Sequence, residues 1–161
     1  VIACLNITLF IIHTLISMEK TLILLKPDCV QKNLVGTVIA RFEEAGFAIR
    51  ANKMIQLTDD LLREHYAHIA EFPFYPDVES FMKETPVVAL VLEADGIIDT
   101  MREMLGVTDC LEAAEGTIRA EFGSKEEGKN KMCNIAHASD GVDAAAVEIA
   151  RFFSEDEIFN Y

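Results

Sequence analysis

Basic residues are scarce in this chain: 14 lysines and arginines stand against 27 acidic residues, for a formal charge of −13. A chain so acidic is not built to coat nucleic acid, and no stable nucleic-acid binding is expected. A polyanionic small ligand is not excluded, because a few convergent cations in one cleft outweigh a distant acidic surface. There is no tryptophan, and the four cysteines (Cys4, Cys29, Cys110, Cys133) are scattered with no C-x-x-C. That argues against a disulfide framework or a cysteine zinc site and for free thiols in a reducing compartment, hence a cytoplasmic protein. No G-x-x-x-x-G-K-[ST] is present, so a P-loop nucleotide site is excluded. Internal repeats, linkers and low-complexity stretches are also lacking, which leaves one domain of 161 residues with room for a sizeable core.

What is present begins with an anomaly. Residues 1–17 are almost wholly apolar, with His13 the one titratable side chain, and Met18 follows. As a signal peptide the stretch lacks a basic start and a small-residue cleavage site, and as a membrane span it is at the short limit. It reads as an extension ahead of a folded domain at 18–161; a membrane role is expected only if residues 1–17 act as an anchor.

Periodicity then outlines the domain. Residues 21–25 form a short apolar strand stopped by Lys26-Pro27-Asp28. Leu34, Val35, Val38, Ile39 and Phe42 recur at helical spacing up to Ala45-Gly46. Phe47, Ile49, Ala51, Ile55 and Leu57 alternate as a half-buried strand, with a bulge expected where Lys53 breaks the alternation. Thr58 caps a helix with Asp59 and Asp60 in its first turn, and the aromatic run from Phe72 to Tyr75 separates it from a second short helix. Residues 87–92 are a continuous apolar strand, and Ile97, Ile98, Met101 and Leu105 mark a helix ended by Gly106. Residues 107–131 read as one long loop, 132–136 as the last strand, and Val142 to Phe152 as the closing helix, with Ser139 or Asp140 as its cap. The order β-α-β-(αα)-β-α-loop-β-α predicts an α+β, ferredoxin-like sandwich: a four-stranded antiparallel sheet with helices packed on one face.

His137 lies at the junction of the last strand and the closing helix, among the small residues Ala136, Ala138 and Ser139. A histidine there is open to work as proton carrier, metal ligand or nucleophile, or to be a satisfied structural residue. No second histidine or cysteine lies at metal-ligand spacing, so no protein metal site is expected. Further candidates are Lys26 at the end of the first strand, Phe74 in the aromatic run with Tyr66 near it, and Arg102, Thr108 and Arg119 around the long loop. Cations plus a stacking ring are the inventory for a nucleoside polyphosphate.

Taken together, Lys26-Pro27-Asp28, Leu34-Val35-Gly36, Glu64-His65-Tyr66, Pro73-Phe74, Gly116-Thr117-Ile118-Arg119 and Asn134 through Asp140 resemble the nucleoside diphosphate kinase family along nearly all of residues 18–161. The resemblance implies transfer of the γ-phosphate of a nucleoside triphosphate to a nucleoside diphosphate through a phosphohistidine on His137. It implies that Phe74 stacks on the base, that Lys26 and Asn134 contact the sugar and phosphate region, and that Arg102, Thr108 and Arg119 hold phosphates. Glu148 would orient the imidazole with support from Ser139, Mg2+ would arrive with the nucleotide, and the chain would assemble as a homo-tetramer or homo-hexamer.

Several positions depart from the family pattern. Cys29 replaces a small residue, Ala138 the usual glycine, Gly141 a common serine, and Asp109-Cys110 a common Asn-Pro. The segment between Arg119 and Asn134 is longer than usual and rich in Gly, Lys and Glu. The alternative expectation is a nucleotide-binding or scaffold member of the same fold with impaired catalysis. His65 and His68 are read as helix-surface or packing residues.

Overall fold

The computed structural model describes residues 18–125 and 132–161. The apolar extension at 1–17 and the added charged residues at 126–131 lie outside the described residues.

In chain order the first half comprises β1 (Met18–Leu25), α1 (Pro27–Gln31), α2 (Val35–Glu44), β2 (Ala48–Ile55), α3 (Asp59–His65) and α4 (Tyr75–Met82). The second half comprises β3 (Val87–Asp95), α5 (Ile97–Leu105), α6 (Ile118–Phe122), β4 (Ser124–Lys125), β5 (Met132–Cys133), β6 (Ala136–Ala138) and α7 (Val142–Phe152). The main sheet has the order β2-β3-β1-β6, and every pair in it is antiparallel. β1 and β2 are separated by β3, which is the split connection of the ferredoxin-like α+β sandwich expected from the element order.

The helices do not keep to one face, contrary to expectation. Leu22, Leu24, Ala89 and Val91 pack against Leu62 of α3 and Ile149 of α7, whereas Ile23, Leu25, Leu90 and Leu92 pack against Phe42 of α2 and Met101 of α5. The physical reason lies in β1 and β3. Their central residues are apolar without alternation and almost entirely inaccessible, so each face of the sheet needs a helical cover.

Three further local corrections follow. Lys26-Pro27-Asp28 does more than stop β1, because Pro27 sits at the start of α1, where its missing N–H has no partner to lose. The register shift in β2 falls between Ile49 and Ala51, at Arg50, and Lys53 pairs regularly with Ala89. The Arg50 carbonyl freed by the shift accepts a hydrogen bond from the Phe159 N–H at 2.8 Å, which ties the C-terminal tail to this edge strand. The long loop also holds more order than expected: Thr117 caps α6 by accepting from the Ala120 N–H, and β4 pairs with β5 in a separate ribbon.

Candidate active site

The strand that carries His137 is placed by a clasp from the opposite end of the domain. Ile135 has φ +71°, a left-handed conformation that costs a β-branched residue on the order of 1–3 kcal/mol. Both of its peptide groups are held. The Ile135 N–H donates to Asp28 Oδ2 at 2.9 Å, and the Ile135 carbonyl accepts from the Lys26 N–H at 2.8 Å. The strand expected across 132–136 is therefore broken in two, with β5 on β4 and β6 on β1. His137 is the middle residue of β6, not the residue beyond its end. It lies opposite Leu24, so its side chain shares the sheet face covered by α3 and α7, while Ala136 and Ala138 oppose Leu25 and Ile23.

On that face the imidazole meets Glu148. His137 Nε2 is 3.2 Å from both Glu148 carboxylate oxygens, and the Ser139 hydroxyl donates to Glu148 Oε2 at 2.6 Å. A carboxylate only accepts, so this contact assigns the ring proton to Nε2 and leaves the lone pair on Nδ1. Burial pushes the Glu148 carboxyl up, but hydrogen bonds from His137 and Ser139 outweigh it and hold the group below the usual carboxylate range. Ser139 is engaged on both sides, because its oxygen also accepts the Leu22 N–H at 3.1 Å. Neither it nor Asp140 caps α7, contrary to expectation: the cap position is Gly141, without a side-chain bond.

Of the two roles expected for His65, packing is the one it has. It is buried, with its ring edge-to-face on His137 at 4.7 Å between centroids and similarly against Tyr66 and Phe152. Burial, followed by the nearness of His137, pulls its imidazole down and keeps it neutral. His68 is exposed.

A cleft of about 530 Å³ brings together four expected residues: Lys26, Phe74, Thr108 and Asn134, with Tyr66 in its wall. Lys26 Nζ donates to Asn134 Oδ1 at 2.6 Å, and Asn134 Nδ2 donates to the Thr108 carbonyl at 2.9 Å. Burial, then the neighbouring Arg119 charge, brings Lys26 down to about 8, with Asp28 and Cys133 partly offsetting. At the mouth, the Phe74 and Phe72 rings stack at 5.5 Å with a 20° angle, and both are exposed.

His137, Arg102 and Arg119 do not line the cleft. Exposed Arg102 pairs through Nη1 with Asp140. Arg119 spends three of its N–H groups on backbone: Nη1 to the Gly106 carbonyl at 2.7 Å, Nη2 to Ala136 at 2.8 Å and Nε to Asn134 at 3.4 Å. It thus clamps the carbonyls on either side of Ile135. Asp28, which sequence reasoning passed over, holds the same residue from below. The signal available for Asp28 was a carboxylate directly after Lys-Pro at a strand end.

Comparison with known proteins assigns the family. Residues 19–158 match the family model described as nucleoside diphosphate kinase. A nucleoside diphosphate kinase of Rhodopirellula baltica is 44% identical over 144 residues, which is 89% of this chain and 91% of that protein. The Aquifex aeolicus nucleoside diphosphate kinase superposes with a TM-score of 0.82 at 40% identity, covering 89% of this chain and all (100%) of that one. The Borrelia burgdorferi enzyme, solved as a transition-state mimic with bound vanadate and ADP, gives 0.82 at 32% identity, with 89% and 92% covered. This chain belongs to the nucleoside diphosphate kinase family and is a nucleotide-binding phosphotransferase.

Proposed function

We propose that the chain transfers the γ-phosphate of a nucleoside triphosphate to a nucleoside diphosphate by way of a phosphohistidine on His137. The observation that carries this reading is the tautomer: Glu148 and Ser139 hold the Nε2 side, so Nδ1 has the lone pair. In the first half-reaction Nδ1 attacks the γ-phosphorus, the N–P bond forms, and the bond to the bridging oxygen breaks as the diphosphate leaves. The proton stays on Nε2, and the positive charge that develops on the ring is met by the Glu148 carboxylate. In the second half-reaction a terminal oxygen of the acceptor diphosphate takes the phosphoryl group and restores the neutral imidazole.

Substrate binding follows from the cleft. Phe74 stacks on a base without reading its edge, which suits broad base tolerance. Lys26 and Asn134 reach the sugar and phosphates, Thr108 lies beside them, and Arg102 exchanges Asp140 for phosphate oxygens. Arg119 fixes the strand under the phosphates and has further N–H groups to offer them. Mg2+ would arrive with the substrate and would supply positive charge against its phosphates. Among the described residues the one grouping of three candidate ligands is His65, His137 and Glu148, which is not the all-oxygen set that Mg2+ prefers. The working protein is a cytoplasmic homo-oligomer, tetramer or hexamer, with its kinase domain at 18–161. Among the described residues no helix is long and apolar enough to cross a membrane.

The test uses the full chain with ATP labelled at the γ position and no acceptor. An acid-labile label that moves to added GDP, UDP or dCDP, and that is lost in His137→Ala while nucleotide binding persists, is the expected outcome. Turnover in that variant would overturn the mechanism, and binding without labelling in the unaltered chain would make it a binding-only member.

A further inference from the structure

The fold assembles a group that the sequence spacing hides. One ring nitrogen each of His65 and His137 and a Glu148 carboxylate oxygen lie within 4.8 Å of one another, although the residues are far apart in the chain. A second observation points to a ligand. His65 is only 6% exposed, and its Nε2 is buried with no hydrogen-bond partner. Its Nδ1 lies 3.4 Å from Arg151 Nη1, so Nε2 is the nitrogen without an occupation. A polar atom buried in this way costs stability unless something fills its need.

We propose that His65, His137 and Glu148 form a site for a borderline divalent transition metal such as Zn2+, and that its occupancy switches the enzyme off. The donor set decides the class of ion: two imidazoles and one carboxylate suit Zn2+, with a fourth position left for water, and do not suit Mg2+ or Ca2+. The ion takes the place now held by the Nε2 proton of His137, between that nitrogen and Glu148, where the separation is 3.2 Å. Tetrahedral coordination needs His65 to close in by a small side-chain rotation. It also needs a change of tautomer, because metal on His65 Nε2 moves the ring proton to Nδ1, facing the Arg151 guanidinium. That long contact must open, which the Arg151 Nε to Glu64 pair at 2.9 Å allows.

The same proton count explains inhibition. A neutral imidazole has one N–H. Metal on His137 Nε2 requires that proton on Nδ1, and the lone pair that attacks phosphorus is gone. Metal binding itself is independent of the phosphohistidine reading, whereas the inhibition rests on it, so the two are measured separately.

The experiment titrates the nucleotide-free full chain with Co2+ as a spectroscopic stand-in and follows the visible bands of a four-coordinate ion. Competition with Zn2+ gives its affinity. The expected result is one ion per chain, with affinity reduced at least about tenfold in His65→Phe, which keeps a ring in the edge-to-face packing. Arg151→Gln removes the opposing charge and offers an acceptor to Nδ1–H, so it should tighten binding. Zn2+ should block labelling of His137, with recovery on chelation. If His65→Phe does not fold, Glu148→Gln and His137→Ala take its place, each expected to weaken Co2+ binding by a similar factor. No binding, or equal affinity in these variants, overturns the site. Binding that follows the variants but leaves phosphoryl transfer intact retains the metal site and overturns the switch, and labelling of His137 in the metal-free chain then tells whether the phosphohistidine reading stands.

Discussion

The two ends of the site are built in opposite ways. At the imidazole end every polar group is buried or half-buried and has a strand or a helix behind it: His137 on Glu148, Glu148 on Ser139, Lys26 on Asn134. At the aromatic end Phe72 and Phe74 stand in solvent, and the pair Arg102–Asp140 lies on the surface. Chemistry that must be held within a fraction of an ångström sits where side chains have no freedom. Recognition that tolerates many bases sits where they have a great deal. On the proposed mechanism, the contrast separates kcat, set at the buried end, from KM, set at the open end.

That separation can be broken, and the largest expected break is at Glu148. Glu148→Ala frees the tautomer and removes the countercharge, so kcat in steady-state assays should drop by about 100-fold or more with KM nearly unmoved. A fall in affinity instead would make Glu148 part of the binding end. Lys26 belongs to both ends and should respond to pH. Its ammonium is held down to about 8, so it is cationic below that pH and loses its charge as pH rises through it. KM for nucleotide should climb above about pH 8, well before an ordinary lysine titrates. Lys26→Met should raise KM roughly tenfold at pH 7 and flatten the alkaline limb, and a flat limb in the unaltered enzyme would show the lysine to be unshifted. Phe74→Ala sharpens the other side: KM should rise by about tenfold, alike for purine and pyrimidine substrates, with kcat preserved. A loss confined to one base would mean that the ring reads its partner. The smallest change is expected from Asp140→Asn, which frees Arg102. An exposed ion pair contributes little, so affinity should improve by no more than about threefold in calorimetry.

The sheet was legible because its strands announce themselves. Residues 87–92 and 22–25 are apolar without interruption, and they lie in the two central strands. The same feature carried the information that both faces are covered, which the one-face expectation overlooked. α6 was missed because it has five residues and buries only Ile118, too short for periodicity, although Thr117 is a proper cap. The break between β5 and β6 runs against local preference: nothing in a β-branched residue suggests a left-handed backbone, and only the grip of Asp28 and Lys26 explains it. Motif order named candidates that share one cleft, Lys26, Phe74, Thr108 and Asn134. It could not name the partners of site residues, because Arg119 on carbonyls and His65 on His137 are products of tertiary packing.

The grip on Ile135 also sets when the site can exist. Asp28 and Ile135 are 107 positions apart, and Lys26 and Asn134 108 apart. During synthesis the first strand and its lysine emerge early and wait while almost the whole domain is made. Arg119 and Glu148 are nearer partners, but the reactive strand has its backbone pairing on β1, so it docks only once β1 and β3 have paired and left an edge to receive it. Activity is therefore a late event in the life of each chain, and its recovery on dilution from denaturant should trail the formation of the sheet.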